Sequence, residues 1–408
     1  MLQDSWKKLL GQYEREILSR PIENDYNPEK LFFPHVVYGG AHRFSETTIT
    51  KLERIAVTIW QQYSQNNPEF AQEILPKEIL PANNSALETW YQSVSNQLTQ
   101  KSIFDYRIDF EDGFGYKPKD IYLAEATRIG KLLAEMPAIQ TRLGIRILSF
   151  QPERVELSVE ILSTFLETFY QFSQGKLLPK NFVITLPKIK ELAEIQLLTN
   201  LLDEAEETYN QRFEVELMLE TPEVLSAELN TWLRTTDSRC SALHLGVYDL
   251  LSALGIPSDY QATNHEICHQ VLLKALSVSS GKNVRVSTGA ALQLAIPPHS
   301  DPQNDIQQHE NKQFITNSWR KLADYHLDSL RMGVFQGWDL HPNQIPIRIA
   351  VYHAFFQKHF SGMMLRLQNF ELQGKEATRN GQQFDDQASV QGLLNTLEIG
   401  RLCGAIKN

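Results

Sequence analysis

The sequence predicts an α/β fold: a (β/α)8 TIM barrel with N-terminal helical additions and a C-terminal helical arm. Three observations predict it. Eight short apolar runs recur along the chain, amphipathic stretches at helical spacing separate them, and several runs end in a carboxylate or a basic residue. Strand and helix in alternation build a parallel sheet, and eight repeats are enough to close it. An open doubly wound sheet satisfies the same alternation and is the alternative. In a barrel the strand C-termini share one face, and chemistry collects there.

Each element has its own signal. Residues 1–30 read as a surface-lying helical extension. The first strand is Phe32–Tyr38, stopped by Gly39-Gly40. Ser45 is a candidate N-cap for a helix carrying Leu52, Ile55, Ala56, Ile59 and Trp60 at helical spacing. Residues 64–100 form a polar, mostly helical insertion. The second strand is Tyr106–Glu111, stopped by Asp112-Gly113. Then come Gly144–Phe150, Phe182–Leu186 (stopped by Pro187), Glu214–Glu220, Leu243–Asp249, Asn283–Ser287 and a weaker eighth, Gly333–Leu340. Helices are expected at Asp120–Met136, Val155–Phe172, Glu191–Glu206, His265–Leu276 and Asn317–Leu330. Two more follow His341, about Ile345–Asn369 and Asp386–Lys407, joined by the polar linker Gln373–Gln383. The domain reading is therefore an extension at 1–30, a barrel at 31–345 with its insertion at about 64–100, and an arm at 346–408.

A length of 408 residues suits one barrel with additions, and a hydrophobic fraction of 42% can fill its core. The net charge of −10 argues against nucleic acid and against anionic membranes as partners. Cys240, Cys268 and Cys403 are scattered without disulfide spacing, which suits a reducing compartment. With no apolar run long enough to span a bilayer, the expectation is a cytoplasmic protein.

The chemistry is expected at the run ends. Glu220 closes the fifth strand ahead of Thr221-Pro222-Glu223, where Thr221 can cap a helix and Pro222 fits its first turn. Asp249 closes the sixth, and Gly246 before it admits a close approach. Two carboxylates from successive strands can hold one hard divalent cation. A rim salt bridge for Glu220 and a helix cap for Asp249 are the plainer roles. Asp109, Glu111 and Asp112 crowd the second strand's end and repel one another unless a cation or donors offset them. Arg146 lies between Ile145 and Ile147 and needs a partner, either a substrate carboxylate or Glu111 or Asp109. Lys188 follows Leu186-Pro187 among these acids, which favour its charged form and a structural ion pair over a Schiff base. His42-Arg43 and His341 also stand where they can line a pocket. His265-Glu266-Ile267-Cys268-His269 matches the zinc-protease helix pattern, but the pattern falls at a helix start, with Asn264 as its cap and no third ligand nearby.

Taken in order, Ile108–Asp112, Gly144-Ile145-Arg146, Leu186-Pro187-Lys188, Glu220-Thr221, Gly246-x-x-Asp249 and Gly337-x-x-x-His341-Pro342-x-Gln344 resemble the aldolase/citrate lyase beta-subunit family of the HpcH/HpaI aldolase superfamily. A longer branch with segments like Asp105–Gly113 and Gln336–Pro342 is the most similar. The resemblance covers about residues 33–345. It implies an oligomeric (β/α)8 barrel with a catalytic Mg²⁺ or Mn²⁺ held by Glu220 and Asp249. It implies that Arg146 binds a 2-oxo acid carboxylate, and that Glu111 and Asp112 sit near the metal's waters and, with Asp109, relay protons. His42, Arg43, Lys188 and His341 would line the substrate pocket. Related pyruvate aldolases carry Glu-His where this chain has Glu111-Asp112, which favours the citrate-lyase-like branch. The turn Gly246-Val247-Tyr248 and the loop Ser287–Ala290 depart from the family.

The function expected is a metal-dependent carbon–carbon lyase or aldolase acting on a 2-oxo acid or hydroxy acid through a metal-stabilised enolate. A coenzyme A thioester lyase or thioesterase on the same barrel is one alternative. A catalytically silent barrel with a regulatory or assembly role is another.

Overall fold

A computed structural model describes residues 33–373, 378–380 and 383–406; the extension expected over 1–30 lies outside the described residues. Eight parallel strands close into a barrel in sequence order: β1 His35–Gly40, β2 Asp105–Asp109, β3 Arg142–Arg146, β4 Val183–Leu186, β5 Glu214–Leu219, β6 Cys240–Leu245, β7 Arg285–Ala290 and β8 Gln336–Asp339. The eighth returns to the first through His35↔Gly337, Val36↔Trp338 and Val37↔Asp339, so the sheet is not an open doubly wound one.

The helices are α1 Thr48–Ser64, α2 Ala71–Ile74, α3 Asn84–Gln100, α4 Lys119–Glu135, α5 Val155–Phe172, α6 Leu192–Tyr209, α7 Leu229–Thr235, α8 Val247–Ala253, α9 Glu266–Ser279, α10 Asp305–Arg331, α11 Ile345–Leu372 and α12 Gln387–Leu402. The short strands β9 Thr378–Asn380 and β10 Gln383–Asp385 pair between the last two helices. The insertion is anchored by aromatic packing. Trp60 of α1 meets Trp90 of α3 at 5.9 Å and Trp319 of α10 at 6.0 Å, and Trp90 Nε1 donates to the Ala350 carbonyl on α11 at 2.9 Å. No helix among the described residues is long and apolar enough to cross a membrane. The three cysteines are buried and free.

Several sequence expectations are corrected. Gly39-Gly40 lies inside β1 rather than stopping it. A Cβ at Gly39 would meet the Tyr106 hydroxyl at 1.9 Å, and one at Gly40 the Gly113 carbonyl at 2.0 Å, so both glycines serve close approach rather than a turn. Residues 147–150 leave the sheet although they stay buried. Ser287–Ala290 belongs to β7, not to a loop. The cap of α1 is Thr47, while the Ser45 N–H donates to Thr48 Oγ1 at 2.8 Å. Strand β6 ends at Leu245, and Asp249 sits in the first turn of α8. Helix α10 starts twelve residues before the expected Asn317, because its first turns are polar and hide the apolar period.

The barrel interior carries charge. Arg107 pairs with Asp105 and, at 3.2 Å, with Glu216; Arg142 pairs with Asp105 at 3.0 Å and with Glu214. The Tyr38 hydroxyl donates to Glu216 at 2.7 Å. These partners offset the desolvation cost of the buried ions.

Candidate functional site at the barrel mouth

Asp109 is the last residue of β2 and Arg146 the last of β3, and the two stand opposite each other in register. Asp109 folds the following turn back on itself: Oδ1 accepts the Glu111 N–H at 2.9 Å and Oδ2 the Gly113 N–H at 2.7 Å. The same oxygens take Arg146 Nε at 2.7 Å and Nη2 at 2.5 Å. With those acceptor positions filled, Asp109 positions Arg146 and the turn, and is not set up to relay a proton. Arg146 Nη1 points onward, 3.0 Å from Glu111, 3.6 Å from Asp112 and 3.8 Å from the Met218 sulfur. Tyr38 and Trp338 flank the guanidinium at 5.1 and 5.5 Å. Of the two partners open to Arg146 in the sequence, the structure shows the carboxylates of its own chain.

Lys188 follows β4 with φ +54°, a left-handed conformation unusual for a side chain of this size. That twist turns its backbone N–H onto Glu220 Oε1 at 2.6 Å. Its Nζ lies 2.7 Å from Glu111, 3.1 Å from Asp112 and 3.6 Å from Asp249. Burial alone would lower the Lys188 pKa; Glu111, then Asp112 and Asp249, outweigh it and hold the ammonium above its ordinary value. This agrees with an ion-paired lysine and opposes a Schiff-base role.

Glu220 is buried at the end of β5. Burial first, then Glu111 and Asp249, push its carboxyl up to about 8. Gly246 makes room for it, since a Cβ there would come within 2.3 Å of Glu220 Oε2. Thr221 does not cap the following turn with its side chain; its hydroxyl donates to the Ile189 carbonyl at 2.5 Å. Burial also raises the Glu111 pKa against the pull of Arg146. Asp112 goes the other way, because Arg146 and Lys188 outweigh its burial. The Asp249 side chain is 45% exposed, which puts the cluster's open side there.

The mouth therefore gathers Asp109, Glu111, Asp112, Arg146, Lys188, Glu220 and Asp249. It leaves His42 and Arg43 exposed on the turn after β1, with the His42 ring 5.4 Å from Phe114. His341 acts as a cap: its Nδ1 accepts the Asn343 N–H at 3.2 Å, and burial holds the ring below its ordinary pKa. The zinc-protease pattern dissolves into two separate jobs. His265, not Asn264, caps α9 by accepting the Ile267 N–H, and His269 meets Asp328 at 2.8 Å.

Sequence reasoning missed Tyr38, Trp338 and Met218 around Arg146. Trp338 lies inside the quoted Gln336–Pro342 segment, and that was the available signal. The largest cavity, about 980 Å³, is elsewhere, between α3, α11 and Gly404–Ile406. It touches none of the mouth residues.

The fold is shared with solved structures. A citrate lyase from Burkholderia xenovorans LB400 aligns with a TM-score of 0.57 at 17% identity, over 94% of this chain and 97% of that one. A Haloferax volcanii malate synthase, in a magnesium and glyoxylate complex, aligns with a TM-score of 0.46 at 11% identity, over 94% and 100%. An HpcH/HpaI aldolase/citrate lyase family protein from Burkholderia cenocepacia J2315 aligns with a TM-score of 0.35 at 9% identity, over 68% and 90%. These are barrels of the superfamily that the ordered residues resemble. No curated protein matches the sequence. The match to the domain of unknown function DUF6986 runs over residues 30–408, and the chain belongs to that family.

Proposed function

We propose that this protein is a divalent-metal-dependent carbon–carbon lyase or aldolase acting on a 2-oxo acid or hydroxy acid. One observation carries the reading. Glu111, Asp112, Glu220 and Asp249 converge from three strand ends on a single ammonium, while the one guanidinium is already paired with Asp109. Negative charge is in excess, and the raised pKa of Glu220 is its consequence.

The donor set fits Mg²⁺ or Mn²⁺. Among the described residues no three His, Cys, Asp or Glu side chains are grouped as a complete ligand set. Magnesium commonly takes only one or two carboxylates and fills its remaining positions with water and substrate. Glu220, seated against Gly246, and Asp249 on the open side are the two that would hold it. A bound ion would supply Lewis acidity to the substrate oxygens.

The chain's own residues do the rest. Arg146 has Nη1 directed toward the mouth and would orient the substrate carboxylate there, with Asp109 fixing the other two nitrogens. Glu111, with its pKa raised by burial, can hold a proton on its carboxyl oxygen and pass it to or from the reacting carbon. Tyr38 and Trp338 keep the guanidinium's faces dry.

The test is cleavage of 2-oxo acid aldol adducts with and without a chelator. Activity should vanish with chelator and return with Mg²⁺ or Mn²⁺. Full activity in the Glu220→Gln, Asp249→Asn double variant would overturn the proposal.

A further inference from the structure

We propose that Lys188 is a resident cation that competes with the divalent ion, so that metal entry at the mouth requires its ammonium to withdraw. The inference rests on the metal-dependent reading above and adds a regulation of that same site.

Three features of the chain carry it. First, the ammonium stands in the middle of the acids: Nζ is 2.7 Å from Glu111, 3.1 Å from Asp112 and 3.6 Å from Asp249 Oδ1. An ion that takes that Asp249 oxygen meets a like charge already beside it, and like charges at short range in a half-buried site disfavour each other strongly. Second, the backbone and the side chain of Lys188 act on different carboxylates. The N–H serves Glu220 at 2.6 Å while Nζ serves the other three. The side chain can therefore swing away without loosening the hydrogen bond that seats Glu220. Third, the side chain is 29% exposed and has a way out toward solvent, unlike Arg146 at 2%. The backbone at φ +54° fixes where that side chain starts.

The consequence is a metal affinity set by a competing charge. Removing the ammonium should tighten divalent binding, whereas removing an ordinary substrate-binding or packing lysine should not. Mn²⁺ binding to the full-length protein, by isothermal titration and by electron paramagnetic resonance of free Mn²⁺, reads this directly. Lys188→Met keeps the stem and loses the charge. Lys188→Gly also relieves the left-handed backbone, and serves if the methionine variant folds poorly. Lys188→Arg keeps the charge.

The neutral variants should bind Mn²⁺ about tenfold tighter or more than the parent, and Lys188→Arg should stay near the parent. The midpoint of thermal unfolding should rise more on Mn²⁺ addition in Lys188→Met than in the parent. Equal or weaker binding in the neutral variants overturns the role of Lys188 and leaves the metal site standing. Absence of Mn²⁺ binding in the parent and in every variant overturns the metal-dependent reading, and the competition with it.

Discussion

Arg146 and Asp109 end neighbouring strands and close on each other through two nitrogens and two oxygens, at 2.7 and 2.5 Å. Both side chains are nearly fully buried. This pair is the hinge between the barrel's charged interior and its mouth. It fixes the Glu111-Asp112 turn on one side and leaves one arginine nitrogen facing the cluster on the other.

Asp109→Asn should therefore damage stability and activity together. The asparagine offers one acceptor oxygen where the aspartate supplies two, and Arg146 is left under-compensated in a buried place. Breaking a buried pair from one side costs about 3–5 kcal/mol. Urea unfolding should show a loss of that order. A change under about 1 kcal/mol would mean that Arg146 finds its neutralisation elsewhere, in Glu111.

Much of this arrangement is visible in the sequence, and the failures have physical causes. Asp109, Glu111, Arg146, Lys188 and Glu220 all stand at strand ends, because an apolar run closed by a charged residue is a strong sign of a strand reaching a rim. Asp249 was placed on the right face but on the wrong element. The run Leu243–Tyr248 stays apolar across the junction between β6 and α8, so hydrophobicity does not mark where the strand stops. Tyr38 and Trp338 look like core residues, since an aromatic in a strand reads the same whether it packs on a leucine or on a guanidinium. The interior ion pairs of Arg107 and Arg142 depend on strand register, which a single sequence does not fix.

His269→Ala should leave Mn²⁺ binding unchanged. The ring is tied to Asp328 between α9 and α10, and both side chains are about one-third exposed. Pairs in such a setting contribute about 0–1 kcal/mol. The expected result is a small loss in thermal midpoint and an unaltered metal isotherm. A lost isotherm would return the zinc-protease pattern to consideration.

Gly246→Ala should displace Glu220. A Cβ at this position meets the Glu220 Cβ and Oε2 at 2.3 Å each, distances that real contacts do not reach. Overpacking of this kind costs about 1–3 kcal/mol. The carboxylate must turn or the start of α8 must shift, and either movement separates Glu220 from Asp249. Mn²⁺ affinity should drop about tenfold or more beyond the stability loss. Unaltered affinity in a folded variant would remove Glu220 from the ligand pair.

Glu220 also makes a prediction about pH. Burial, with Glu111 and Asp249 nearby, raises its carboxyl to about 8 in the folded protein, against an ordinary value of 4.5. Below about 4.5 both folded and unfolded chains hold this proton, and the group adds no pH dependence. As the pH rises from there, the unfolded chain releases the proton while the folded chain keeps it, so folding stability falls. The fall ends near pH 8, once the folded chain also releases it. At 1.36 kcal/mol per unit the whole change is on the order of 4 kcal/mol. Glu220→Gln has no proton to release and should lose this slope, so in the presence of chelator it should overtake the parent as the pH climbs. Urea unfolding of both proteins at pH 5 and pH 8.5 checks it. Saturating Mn²⁺ should restore the parent at pH 8.5 and do little for the variant, because the ion favours the ionised carboxylate that the glutamine lacks. Parallel slopes for the two proteins would show that Glu220 ionises in the folded protein as it does in the unfolded one.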